Sequence, residues 1–191
     1  MSNTEQLFQE NVVLVDADFL DSITYNLNQN FQQILFRDIP LADLAEWLVC
    51  VALDGGVPKG KNTIQCIFVH SKEKLVLEQF QPGEFAHELD GTAFYDPLLG
   101  EFQMSCLSIE DIAGEDFFSQ CAQILINARE VKRLILVPDI DLSEERLRPM
   151  IIEANQGKLV TLLSMVPTQD IPHTMLAFSL MHAMGIKPDE L

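Results

Sequence analysis

Short apolar runs alternate along this chain with longer stretches of helical period. The first run, Val12, Val13, Leu14 and Val15, ends on Asp16 and Asp18. An uninterrupted β-branched run of this kind predicts a strand covered on both faces, the usual state of a central parallel strand. Ligands and chemistry in such sheets lie beyond the carboxyl ends of the strands. Asp21 and Ser22 are then placed to cap a helix whose Ile23, Leu27, Phe31, Ile34 and Leu35 share one stripe. Its other face is rich in amides (Asn26, Asn28, Gln29, Asn30, Gln32, Gln33) and reads as solvated. A second helix, over 41–53, is introduced by Pro40, lined by Leu41, Leu44, Leu48 and Val51, and ended by Gly55 and Gly56.

Residues 62–69 have the density of a strand, and 74–80 alternate apolar with polar positions, which predicts a hairpin. The pattern weakens over 81–100, where a turn at Pro97–Gly100 would join AFYD to EFQMSCL as a second hairpin. Together these predict an antiparallel extension at about 62–107. Glu110, Asp111, Glu115 and Asp116 precede or open a helix over 117–128, where acidic residues complement the helix dipole. RLILV, 133–137, is another fully apolar strand and again ends in acids, Asp139 and Asp141. A helix over 143–156, reset at Pro149 and stopped at Gly157, leads into a strand at 158–164. A right-handed parallel crossover is the common solution for that connection. The last helix spans 172–185. The expected fold is therefore α/β, a three-layer, mostly parallel central sheet flanked by helices, in one domain over 1–191 with a polar lead-in at 1–10.

Charge changes the picture more than composition does. Twelve Lys and Arg stand against 29 Asp and Glu, a formal net charge of −17. That surplus repels polyanions and weighs against autonomous, high-affinity binding of nucleic acid. Cys50, Cys66, Cys106 and Cys121 lie apart in apolar surroundings without a CxxC pair, as buried thiols do. Neither a signal peptide nor a membrane-length apolar run is visible, so a cytoplasmic location without membrane contact is expected.

The candidate chemistry is acidic. If strands 12–15 and 133–137 both lie centrally and in parallel, Asp16, Asp18, Asp116, Asp139 and Asp141 converge at one edge of the sheet. Clustered carboxylates repel unless neutralised, and a hard divalent cation such as Mg²⁺ is the usual neutraliser. The order of parts resembles the PIN-like nuclease superfamily, particularly its NYN branch. The resemblance rests on LVD (Leu14, Val15, Asp16), GEDFFSQCAQIL with Asp116, ILVPDID with Asp139 and Asp141, ANQGKLVTLL, and a closing AMGIKPDEL similar to ALGI-type helix ends. Pro138 stands where that family usually has Ser, Thr or Gly, and Phe19 where it often has a small polar residue. The resemblance implies a metal-dependent phosphodiesterase acting on RNA, with Asp16, Asp18, Asp116 and Asp139 binding Mg²⁺ or Mn²⁺ and Asp16, Asp116, Asp139 and Asp141 serving catalysis.

Each acid also has a plainer reading. Asp18 and Asp21 suit helix caps, Asp116 suits a first turn, and Asp141 with Glu144 spells a capping box, each worth about 1 kcal/mol. Asp16 and Asp139 fit such roles less easily, because they follow buried strands so directly. The histidines show no i, i+4 metal pair. A second function class is a non-catalytic interaction module, homodimeric or bound to a protein partner, using Phe80, Phe85, Phe94, Tyr95 and Phe102. A third is small-ligand binding at the sheet edge, which an apolar cleft would favour.

Overall fold

The computed structural model describes residues 7–109 and 116–191. Glu110, Asp111 and Glu115 of the predicted acidic helix start, and 1–6 of the lead-in, lie outside these.

The apolar run forms β1 (Asn11–Asp16), which passes without a loop into α1 (Ala17–Leu35). A two-residue β2 (Ala42–Asp43) precedes α2 (Leu44–Asp54), and β3 spans Asn62–Ser71. After β4 (Phe80–Gln81) and a short π-helical turn, Phe85–Leu89, come β5 (Ala93–Asp96) and β6 (Gly100–Ile109). The remainder is α3 (Phe117–Asn127), β7 (Arg133–Val137), α4 (Ile140–Ala154), β8 (Leu159–Ser164), β9 (His173–Met175), α5 (Leu176–Ala183) and a closing 3₁₀ turn, Pro188–Glu190.

Among the described residues seven strands form one sheet in the order β5-β6-β3-β1-β7-β8-β9. All neighbours are parallel except β5 and β6. The chain first builds outward from β1 through β3 to β6, then returns to the other side of β1 with β7 and continues to β9. The strand order therefore reverses at β1. Alternate residues of β1 serve opposite cores, as the pleat requires. Val13 and Val15 pack with α1, α2 and α5, whereas Val12 and Leu14 pack with α3 and α4. Helices thus cover both faces of a mostly parallel sheet, as the strand patterns predicted.

The 62–107 region divides differently from its sequence pattern. Its second hairpin is present: Phe94 faces Phe102 across the antiparallel β5–β6 pair, and Asp96 Oδ1 accepts from the N–H groups of Leu98 and Leu99 in the turn. The first hairpin is not. Both edges of β3 are taken by parallel partners, β1 and β6, so 74–80 cannot pair beside it. Instead Phe80–Gln81 pairs with β2 in a separate two-stranded sheet, and Val76 bridges Glu84. Consequently β3 and β6 are part of the main sheet rather than an extension of it.

Helix boundaries shift for a common reason. α1 begins four residues before Asp21 and α4 three before Ser143, because each follows its strand almost directly and takes its cap from the strand's end. α2 begins at Leu44, leaving Leu41 outside and 48% exposed. Pro149 lies inside α4 without ending it, and His173–Met175 joins the sheet before α5 starts. The amide face of α1 is also not wholly solvated. Asn28 is buried and donates from Nδ2 to the Ile39 carbonyl at 3.2 Å, fixing the loop after the helix. All four cysteines are free thiols; Cys66 is buried and the others half-buried. Among the described residues no helix is long and apolar enough to cross a membrane.

A candidate functional site at the carboxyl edge of the sheet

Where strand order reverses in an open parallel sheet, the connections leave in opposite directions and open a crevice beyond the strand ends. Here a cavity of about 570 Å³ occupies that position, bordered by the ends of β1, β3, β6 and β7 and the starts of α1, α3 and α4. Asp16, Asp18, Asp116 and Asp139 all line it. The structure thus brings together four of the five acids singled out in the sequence. Asp141 is the exception: it lies in the first turn of α4, exposed and outside the cavity lining.

The acids divide the local work differently from the capping pattern expected. Asp16 caps α1, its Oδ1 accepting from the Phe19 N–H at 3.1 Å. Asp139 caps α4, its Oδ1 accepting from the Asp141 N–H at 3.2 Å. Asp116 caps α3, accepting from the Ser119 N–H and hydroxyl and from the Ser143 hydroxyl. Asp18 is not a cap. Both its oxygens accept from the Ser71 N–H at 3.2 and 3.3 Å, tying α1 to the end of β3. Nor is Asp21, which is buried and accepts from Lys74 Nζ at 2.6 Å and the Gln79 N–H at 2.8 Å. Asp21 therefore anchors the 72–79 connection to α1.

Opposed electrostatic effects meet in the crevice. The amino ends of α1, α3 and α4 converge there, and helix amino ends favour anions through their free N–H groups and dipoles. The capping carboxylates already answer part of that field. Yet burial, with the charges of Asp18 and Asp139 adding to it, pushes the Asp16 carboxyl from 3.8 to about 6, against the lowering effect of its backbone hydrogen bonds. Asp16 thus senses the charge of Asp139 across the β1–β7 boundary.

Among the described residues no three His, Cys, Asp or Glu side chains come together as a ready cage for a metal ion. Asp116 and Asp18 spend both oxygens on protein hydrogen bonds. Each cap bond of Asp16 and Asp139 uses Oδ1, and the second oxygen of each carboxylate is no part of it. A pair of carboxylates does fit Mg²⁺, which commonly takes one or two protein carboxylates and completes its shell with water and substrate phosphate.

The model of the "Family of unknown function (DUF6621)" matches residues 5–191. The chain belongs to this family. No curated protein and no solved structure matches it.

In this member of DUF6621, the crevice also holds residues that sequence reasoning missed. His70, at the end of β3, is buried, and its ring stacks on Phe85 with centroids 4.1 Å apart. Its Nδ1 lies 2.9 Å from the Ser71 carbonyl, which can only accept, so Nδ1–H donates to it. Ser143 and Arg146 reach the cavity from α4. Arg146 forms no ion pair with any described residue. An i, i+3 spacing of Ser143 and Arg146 was available as a signal, but only with α4 starting at Ile140 does that face turn to the crevice. The aromatic residues considered for an interface are mostly core: Phe80, Phe85 and Phe102 are buried, and Phe94 stacks on Phe102 at 4.7 Å. Tyr95 alone among them is exposed, at 65%.

Proposed function

We propose that this chain is a PIN-like, divalent-cation-dependent phosphodiesterase acting on RNA that is short or delivered by a partner. The observation that carries the reading is the convergence of Asp16, Asp139, Asp18 and Asp116 on one crevice at the strand-order reversal. In this reading Asp16 and Asp139 hold Mg²⁺ or Mn²⁺. Asp116 and Asp18 position Ser143 and the end of β3 rather than binding the ion. Arg146 and the three helix amino ends receive the phosphate, supplying positive field where the acids alone would repel it. The bound cation would lower the pKa of water and stabilise phosphoryl charge. Asp141, exposed on the outer side of α4, has no part in the chemistry. A net charge of −17 leaves few cations to track a long polyanion, which is why a short or handed-over substrate is specified.

Isothermal titration of the full chain with Mn²⁺ tests this, alongside the Asp16→Asn, Asp139→Asn double variant. Asn retains the capping oxygen and so the helix starts. One binding event in the wild type that disappears in the variant is expected, together with at least a hundredfold loss of cleavage of a short single-stranded RNA. An unchanged titration in the variant, or none in the wild type, overturns the reading.

A further inference from the structure

A second groove, of about 340 Å³, lies between α2, β5 and α5, away from the acidic crevice. Val49, Leu53 and Phe94 give it an apolar lining, and Glu46 and Asp96 are acids in the same lining. Asp54 lies outside this lining, on the same helix as Cys50; burial first, then the charges of Asp54 and Glu46, push the thiol of Cys50 upward. Among the described residues no Lys or Arg lines this groove, and His182 is the one basic side chain in its lining. Beside it runs β5, the terminal strand of the sheet, which pairs with β6 on one side only. No described strand pairs with its other backbone edge, and Leu53 and Tyr95, both in the groove lining, are 42% and 65% exposed.

We infer that this groove and the open edge of β5 together receive an extended segment of a partner protein in which Lys or Arg alternates with apolar residues. Strand addition supplies main-chain hydrogen bonds, while a groove beside the edge selects side chains. Lysine or arginine stems can lie along Leu53 and Val49 while their charged heads reach Glu46 and Asp96. Charge decides the occupant. A second copy of this chain would bring the same acids against themselves, on top of a net charge of −17, whereas a basic segment is attracted.

The test is fluorescence anisotropy of a labelled Lys-Val repeat peptide of about eight residues, a common strand length, titrated with the full chain. Glu46→Lys reverses a charge in the groove. Glu153→Lys, on the exposed side of α4, makes the same net change elsewhere. Binding that weakens at least tenfold in Glu46→Lys but less than twofold in Glu153→Lys is expected, with the peptide slowing alkylation of Cys50. Equal weakening in both variants would mean diffuse attraction to an acidic protein and overturns the inference. So does absence of binding, unslowed Cys50 alkylation, or sedimentation showing a homodimer that occupies this face.

Discussion

Asp16 shows how a single residue can be structurally useful and energetically awkward. Its cap bond to Phe19 stabilises α1, but its half-buried charge lies near those of Asp18 and Asp139. Because its folded pKa lies above the unfolded value, the native state binds a proton more tightly between 3.8 and about 6. Stability on this account falls as pH rises through that window, and the loss is complete above it. Asp16→Asn keeps the cap and removes the charge. It should raise stability near neutral pH by about 1–3 kcal/mol and have little effect near pH 4, as urea unfolding at the two pH values would show. A loss of stability at neutral pH would mean that the cap depends on the carboxylate. The residue type at position 16 was legible in the sequence. Its dual role was not, because Asp18 and Asp21 are equally plausible caps until the contacts with Ser71 and Lys74 are seen.

Elements in this protein are fastened by groups distant in sequence. The ammonium of Lys158, at the entrance to β8, donates to the carbonyls of Leu125, Ile126 and Ala128 at 2.6–3.1 Å, closing the C-terminal end of α3. Partial burial holds its pKa below the usual lysine range. Replacing it with Met leaves those carbonyls to water and removes a cation from a helix C-terminus. A cost of roughly 1–3 kcal/mol is expected, with faster hydrogen exchange localised to the end of α3. On the other face, Trp47 Nε1 donates to the Ser179 hydroxyl at 3.2 Å, both buried, linking α2 to α5. Ser179→Ala should cost about 1–3 kcal/mol by stranding the indole N–H, measurable as a lower unfolding midpoint with an unchanged denaturant slope. A third constraint is Gly55, where an added Cβ would collide with the buried side chain of Ile135. Gly55→Ala should therefore destabilise by about 1–3 kcal/mol through overpacking, despite alanine's better helix propensity.

At the scale of the whole molecule, the surplus of acid acts against the compact state. Self-repulsion predicts that thermal stability rises with NaCl. A specific cation site predicts a further increment from Mg²⁺ at matched ionic strength, about 1.4 kcal/mol when the ion is at ten times its dissociation constant. That increment should vanish in the Asp16→Asn, Asp139→Asn variant. An equal response to both salts in the wild type would reduce Mg²⁺ to general screening.

The α/β class and the placement of four acids at strand or helix ends followed from the sequence, because a buried parallel strand must be apolar throughout and its polar exit is then conspicuous. Val12–Val15 and Leu134–Val137 carry that signal locally. Pairing is different: residues 74–80 alternate as a strand would, yet both edges of β3 are filled by β1 and β6, and only long-range competition among strands decides that. Likewise, no local pattern could show that β1 and β7 lie side by side or that His70 and Arg146 face one crevice. Local sequence determined which segments could be strands and helices. Tertiary packing decided which of their ends meet, since burial of both sheet faces satisfies many residues at once and no single one specifies it.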